Sequence, residues 1–295
     1  MRRRTFRKWV RYPRCRRKGY FAALAEFVSP QSESVWLARL NAEHDNLRAA
    51  LICAVELPAE EIALRLAASL GWFWMRHGYW SEGRIWLQIV SPLMGAAAPS
   101  SNHANVLFIQ GFLAQLQGDI ALGQVFLEES LAMHRQVGDL EGSSMVLLNM
   151  GVTARERGDV AQATALFEQA LHIPQQRQDA EGIAWVQVSL GEVAILREDA
   201  LGATDLLDVA LAQFRKVESY VGVAWTLNHL GHVAQLQGDY ARAAAFHHES
   251  LGLFSGSGTD QSGVGWALEG LGTAALAQGH LRAATTQYTE SLRTF

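Results

Sequence analysis

The last two thirds of the sequence repeat with a period of about 40 residues. A glycine recurs at steps of 40, 40, 40 and 41 residues, a leucine follows each glycine after 20 residues, and a turn pair follows after seven. The glycines are Gly111, Gly151, Gly191, Gly231 and Gly272; the leucines are Leu131, Leu171, Leu211, Leu251 and Leu292; the pairs are Gly118-Asp119, Gly158-Asp159, Glu198-Asp199, Gly238-Asp239 and Gly279-His280. Because these three sets of recurring residues share one period, we predict a stack of similar units.

Each unit reads as two helices joined by a tight turn. In the third unit, apolar residues at helical spacing predict a first helix over Ala184–Leu196 and a second helix around Leu206–Phe214. A small residue recurs twelve positions after each repeat glycine, so Gly191 and Ala203 are predicted to lie where the two helices cross. A single hairpin cannot bury its apolar face alone, and the sequence therefore predicts an all-α solenoid.

These residues resemble the tetratricopeptide (TPR) repeat. Leu190-Gly191, the turn that follows, and Ala203, Leu207 and Ala210 match the small and apolar positions of that family, although the period is longer than the usual ~34 residues. A recurrent pattern of an acid, then Gly, then Leu-Gly, as at Asp179, Gly182 and Leu190-Gly191, is typical of the longer variant. The resemblance implies a right-handed superhelix. Two positions depart from the pattern, since Ser219 replaces the acid and His247 replaces the equivalent of Phe167.

The predicted organisation has three parts. Residues 1–18 form a basic leader predicted to be disordered, residues 19–100 form a helical segment, and residues 101–295 form five TPR-like repeats. The helical segment is predicted to contain helices over Tyr20–Val28 and Val35–Val55, then a degenerate repeat over residues 62–93, then a linker marked by Pro92 and Pro99. Five aromatic residues in the degenerate repeat favour a hydrophobic cap over a ligand cage: Trp72, Phe73, Trp74, Trp80 and Trp86.

Residues 40–51 and 71–87 carry a second resemblance. Leu40-Asn41-Ala42-Glu43-His44-Asp45-Asn46-Leu47-Arg48-Ala49-Ala50-Leu51, Gly71-Trp72-Phe73-Trp74 and Glu82-Gly83-Arg84-x-Trp86-Leu87 resemble bacterial signal-transduction ATPases of the STAND class, many of them LuxR-like transcriptional regulators. That resemblance implies a sensor region used in signal transduction and transcription regulation. The sequence has no Gly-Lys dipeptide and hence no P-loop, and it ends inside the last repeat. We therefore expect a protein- or peptide-binding scaffold lacking the NTPase and DNA-binding parts; the alternative is a free-standing TPR adaptor.

Charge separates the leader from the rest of the chain. Residues 1–18 hold ten of the 25 basic residues and no acid, so the net charge of −4 leaves −14 for residues 19–295. The arginines with Trp9 and Tyr12 fit a nucleic-acid-binding arm, and the alternative is a disordered tail or the product of a wrong start site. Nucleic-acid binding is predicted only for this leader. Cys15 and Cys53 have no spacing motif and no membrane span is evident, which favours a reducing compartment and a cytoplasmic location.

No catalytic, cofactor or metal site is predicted. His247-His248-Glu249 lacks the second histidine of a zinc protease motif because Gly252 stands there, and His229 and His232 have no cysteine partner. Gly270-x-Gly272 fits a loose dinucleotide pattern but lies in a repeat helix with no strand before it. We therefore expect that the chain is not an enzyme.

Binding is expected in the concave groove that the family resemblance assigns to the first helices. The candidate residues are Met145, Arg155, Trp185, Val188, Glu192, Trp225, Asn228, His232, Trp266 and Glu269. Trp185 and Trp225 would anchor a peptide, and Asn228 and His232 would supply hydrogen bonds. Two alternatives stay open: the tryptophans pack between successive repeats, and the polar residues form an ordinary solvated face.

The end of the last repeat suggests a further contact. A solenoid usually carries a polar capping helix, and none follows the last repeat here. Leu271, Leu276, Tyr288 and Leu292 are therefore expected to be partly exposed and to support self-association.

Overall fold

The structure, a computed structural model, describes residues 33–56, 60–76, 78–95, 98–257 and 261–294, together with Ala25. Every regular element in these ranges is a helix, and there are 14. They are α1 (Glu33–Ala42), α2 (His44–Glu56), α3 (Glu60–Arg76), α4 (Trp80–Met94), α5 (Ser101–Leu116), α6 (Ile120–Val137), α7 (Leu140–Glu156), α8 (Val160–Arg177), α9 (Ala180–Leu196), α10 (Ala200–Lys216), α11 (Tyr220–Leu236), α12 (Tyr240–Ser257), α13 (Gln261–Ala277) and α14 (Leu281–Ser291).

From α5 onward the helices form the five predicted hairpins. The helix pairs are α5–α6, α7–α8, α9–α10, α11–α12 and α13–α14. The helices are longer than predicted. Helix α9 begins at Ala180 rather than Ala184, and α10 spans Ala200–Lys216 rather than only the residues around Leu206–Phe214. The degenerate repeat is also a hairpin, α3–α4. The all-α TPR-type solenoid is thus confirmed.

The turn inside each hairpin places one residue in the left-handed region and uses the next residue as a helix cap. Gly118, Gly158, Gly238 and Gly279 have φ between 74° and 85°, and Glu198 takes the same conformation with φ 60°. Asp199 then accepts a hydrogen bond from the backbone N–H of Gly202 at 2.9 Å, which satisfies a donor left free at the start of α10. The turn pair therefore ends one helix and starts the next, as its spacing predicts.

The repeat glycines lie where the two helices of a hairpin approach closely. A Cβ atom on Gly111 would lie 2.9 Å from the backbone oxygen of Gly123 and 2.8 Å from Cγ of Leu127. On Gly191 it would lie 3.0 Å from Cγ of Leu207 and 3.7 Å from the backbone oxygen of Ala203. The predicted crossing point of small residues is confirmed, because larger side chains would hold these helices apart.

Three details of the N-terminal segment differ from the predictions. The single helix expected over Val35–Val55 is two helices that break at Glu43. Pro92 lies inside α4 rather than in a linker. Of the five aromatics in the expected cap, Phe73 and Trp74 are buried, but Trp72 and Trp80 are 45% and 38% exposed because they face away from the packed side of the hairpin. The helix expected over Tyr20–Val28 and the basic leader lie outside the described residues.

The chain divides into two compact units, residues 1–146 and 147–295. The boundary lies inside α7. The predicted organisation, with the regular array beginning at residue 101, concerns where the repeats start and stays a prediction. The second unit contains the end of α7 and the helices α8–α14. Its core includes Leu207, Leu211 and Phe214 of α10, packed against Val188 of α9 and Leu227 of α11.

Two further expectations need correction. Cys53 is disulfide-bonded, against the expectation of reduced thiols. Leu271 is buried at 5% exposure, because it points toward the hairpin core, whereas Leu276 and Leu292 are 50% and 78% exposed. Self-association through this end stays a prediction.

Candidate functional site

Side chains from four consecutive first helices of the second unit contact one another in sequence. The guanidinium of Arg155 on α7 forms an ion pair with Glu192 on α9, and Oε1 of Glu192 lies 3.7 Å from Nε2 of His229 on α11. The ring of His229 then lies 6.3 Å from the ring of Trp266 on α13. Successive members are 37 residues apart, one helical turn less than the 40-residue period. We call this side of α7, α9, α11 and α13 in the second unit the first-helix face.

The tryptophans of the first-helix face are packed to different degrees. Trp185 is half-buried and meets Phe214 edge-on, with ring centroids 4.9 Å apart. Trp225 makes the equivalent contact with Phe254 at 5.5 Å and also touches Trp266 at 6.2 Å. Trp266 is 45% exposed. Packing thus accounts for Trp185 and much of Trp225, whereas Trp266 offers a large aromatic surface to a partner.

Asn228 and Val188 do not line the surface, and both assignments are corrected. Val188 is 4% exposed and belongs to the apolar core. Asn228 is 2% exposed, its Nδ2 donates to the backbone oxygen of Gly263 at 3.3 Å, and its Oδ1 lies 3.2 Å from Nδ1 of His247. The family register points Asn228 into the groove, but the histidine at position 247 provides a polar partner inside the hairpin and draws the amide there. Asn228 is therefore buried inside the solenoid and out of reach of a peptide on the surface.

The same buried network contains Gln235. Its Nε2 donates to the backbone oxygen of Gly270 at 2.8 Å and lies 3.4 Å from Nε2 of His247. Burial lowers the pKa of His247 to about 4, and the nearby His232 and His248 act in the same direction. His247 is therefore neutral at pH 7 and serves as a hydrogen-bonded core residue, as the sequence predicted for its position.

Burial also affects the pKa values of Glu192 and His229, which lie in a row with Arg155 across α7, α9 and α11. It raises the pKa of Glu192, while Arg155 opposes that rise. Burial, with Arg155 next in effect, lowers the pKa of His229 to about 3. His229 is consequently a neutral imidazole at pH 7, and its 3.7 Å contact with Glu192 is too long for a strong hydrogen bond. The positive charge of Arg155 and the negative charge of Glu192 therefore compensate each other in their ion pair.

His232 and Glu269 lie at the exposed edge of the first-helix face. Both are exposed, and they stand on the adjacent first helices α11 and α13. Burial lowers the pKa of His232, and the negative charge of Glu269 partly offsets that effect. Glu269 is three residues after Trp266, so the two side chains share one side of α13.

Met145 belongs to the first unit and is half-buried on α7. Its place in the groove stays a prediction. In the described ranges, no three His, Cys, Asp or Glu side chains are arranged to hold a metal ion.

The comparison with protein families decides what these repeats are. The tetratricopeptide repeat model matches residues 101–176, 182–255 and 222–295, which is more than half of the chain. The chain belongs to the tetratricopeptide repeat family. The TPR matches include each of the residues named on the first-helix face, from Arg155 to Glu269. The sequence matches none of the curated proteins with which it was compared.

Solved structures of other proteins show the same fold. A Rap protein complexed with competence and sporulation factor has a TM-score of 0.68 at 11% identity, with 94% of this chain and 76% of that chain covered. NprR in complex with its cognate peptide NprX has a TM-score of 0.63 at 16% identity, with 91% and 80% covered. BtubC from P. vanneervenii has a TM-score of 0.53 at 18% identity, with 80% and 91% covered. At these identities the likeness concerns the fold alone.

His229 is the member of the first-helix face that sequence reasoning missed. The sequence suggests for His229 only a metal-ligand role with His232, because the family register places Asn228 in the groove. The regular step of 37 residues from Arg155 to Glu192, His229 and Trp266 was a usable signal. Among the described residues, no helix combines the length and apolar character needed to cross a bilayer.

Proposed function

We propose that this TPR protein binds a peptide or an extended protein segment on the first-helix face. The observation that carries the proposal is Trp266, a large aromatic residue that is 45% exposed although it stands in line with packed residues on three neighbouring helices. Exposed tryptophans with polar groups around them are common anchors in binding surfaces. TPR repeats generally act as non-catalytic scaffolds, which agrees with a binding role.

Two structural neighbours support a peptide as the ligand. NprR was solved with its cognate peptide, and a Rap protein was solved with competence and sporulation factor. Both share the fold of this chain over more than nine tenths of its length. We propose that this chain uses the same kind of surface for its own ligand.

At a finer level, we propose that the chain is the sensor region of a bacterial STAND-type signalling regulator. Support comes from the two segments of the first unit that carry this resemblance, because they contact each other. Arg48 donates through Nε to Oε1 of Glu82 at 2.7 Å, and Nε2 of His44 lies 3.1 Å from the same oxygen. Burial works to raise the pKa of Glu82, but Arg48 and His44 outweigh it, so that the pKa lies below its ordinary value. The alternative is a free-standing TPR adaptor, and an in-frame P-loop domain encoded upstream distinguishes the regulator from the adaptor.

Panning a random peptide library against the full chain tests the binding proposal. We expect enriched peptides whose affinity falls at least about threefold in a Trp266→Leu variant, since an exposed aromatic contact is lost while the apolar packing is largely kept. Tyr220→Leu is the matched control, because Tyr220 is 66% exposed at the start of α11.

The proposal fails if no enriched peptide distinguishes wild type from Trp266→Leu. It also fails if Tyr220→Leu weakens binding to the same extent, because the peptides would then be responding to aromatic residues in general. Far-ultraviolet circular dichroism on each variant confirms that helix content is unchanged.

A further inference from the structure

The first-helix face carries an unusual distribution of charge. Helices α9, α11 and α13 contain no lysine or arginine, and their carboxylates are Glu181, Glu192 and Glu269. The second unit as a whole holds sixteen acidic residues against nine basic ones. Any charged ligand on this face therefore meets a negative potential.

Two of the three carboxylates already have partners. Glu192 is paired with Arg155, and Oε1 of Glu181 accepts a hydrogen bond from the hydroxyl of Ser219 at 2.7 Å. Glu269 is exposed on α13, and no hydrogen bond or ion pair of its carboxylate is seen among the described residues. Helices α9, α11 and α13 offer no lysine or arginine that could pair with the Glu269 carboxylate.

An aromatic ring lies on the same side of α13 as this carboxylate, and it belongs to a cluster of three rings. Trp266 precedes Glu269 by three residues on α13, and its ring meets the ring of Trp225 at 6.2 Å with an interplanar angle of 65°. The ring of His229 lies beside both tryptophans, and its centroid is 6.3 Å from the centroid of each. An aromatic face next to a carboxylate attracts a cation by two mechanisms, through the ring quadrupole and through the opposite charge.

We propose, building on the function proposed above, that the ligand of the first-helix face is a peptide segment with a cationic side chain, arginine or lysine, seated between Trp266 and Glu269. The guanidinium or ammonium lies over the exposed Trp266 ring, and Glu269 balances its charge. Arg155 stays bound to Glu192 and limits the cationic site to the α11–α13 end of the face.

The test measures fluorescence anisotropy of labelled probes titrated with the full chain. The probes are Gly-Arg-Gly-Arg-Gly-Arg-Gly with blocked ends and the same peptide with serine or glutamate replacing arginine. We expect the arginine probe to bind more tightly than the serine probe, and the glutamate probe to bind least. Trp266→Leu and Glu269→Gln should each weaken the arginine probe by about two- to fivefold.

Glu290→Gln is the control, because Glu290 is an exposed carboxylate on the second helix α14. The inference is overturned if the arginine probe binds no better than the serine probe. It is also overturned if Glu290→Gln and Glu269→Gln weaken binding equally, because net charge alone would then explain the preference. Library peptides that lack basic residues but still depend on Trp266 would refute this inference and leave the proposed binding function intact.

Discussion

We predict opposite effects on stability for two glycine-to-alanine substitutions. Gly151 lies where α7 and α8 approach closely, whereas Gly252 faces open space. A Cβ atom on Gly151 would lie 2.4 Å from Cε1 and 2.7 Å from Cδ1 of Phe167, a fully buried ring. Gly252 lies inside α12, is exposed, and has nothing within 4 Å of a Cβ atom. Both substitutions to alanine gain the same helix propensity, so that their difference isolates the contact.

The expected magnitudes follow from these distances. Alanine in place of a glycine inside a helix stabilises by about 0.5–1 kcal/mol, which is the full expectation for Gly252→Ala. Overpacking a tight core costs about 1–3 kcal/mol, so Gly151→Ala should lower the free energy of unfolding by about 0.5–2 kcal/mol after the propensity gain. Urea unfolding followed by far-ultraviolet circular dichroism measures both.

A double variant tests the cause of the loss. The equivalent glycine in the next repeat, Gly191, faces Leu207 at a longer distance of 3.0 Å. We therefore expect Phe167→Leu to cost less in the Gly151→Ala background than in wild type. If Gly151→Ala is as stable as wild type, or if the two substitutions are additive, the close helix crossing does not explain the repeat glycines.

Two further predictions concern capping and pH. Asp199→Ala should destabilise the protein by about 1 kcal/mol because the cap of α10 is lost, whereas Asp205→Ala, at an exposed site in the same helix, should have little effect; equal urea midpoints for the two variants would contradict the capping role. The pKa of His247 is lowered from 6.5 to about 4, so its contribution to stability is present above pH 6.5 and is lost as the pH falls toward 4. Over that interval the urea midpoint of His247→Phe should fall less steeply than that of wild type, and parallel profiles would argue against this shift.

The repeat architecture could be predicted from the sequence because its signals are local and recur. Gly191 and Ala203 mark a helix crossing, and Glu198-Asp199 marks a turn, whatever lies next to them in space. The recurring glycines, leucines and turn pairs support one another because they share the same period. The family model then matches the same recurring residues.

The composition of the candidate site depends on contacts between helices, and there the sequence was less informative. Asn228 and His229 are neighbours in sequence and point about 100° apart around α11. The family register predicts Asn228 in the groove, but its amide contacts His247 inside the hairpin. His229 instead contacts Glu192 on the first-helix face. Trp72 and Leu271 were misplaced for a similar reason, because apolar character does not tell which residue of a helix faces its neighbour.

Site-specific photo-crosslinking tests the central claim, that a ligand occupies the first-helix face, most directly. A benzoylphenylalanine residue replaces Trp266 in one variant and Leu201, which is 76% exposed on the second helix α10, in another. With a library-selected peptide present, we expect light-dependent crosslinking from position 266 and background labelling from position 201. Equal labelling from both positions, or labelling only from position 201, would contradict the account.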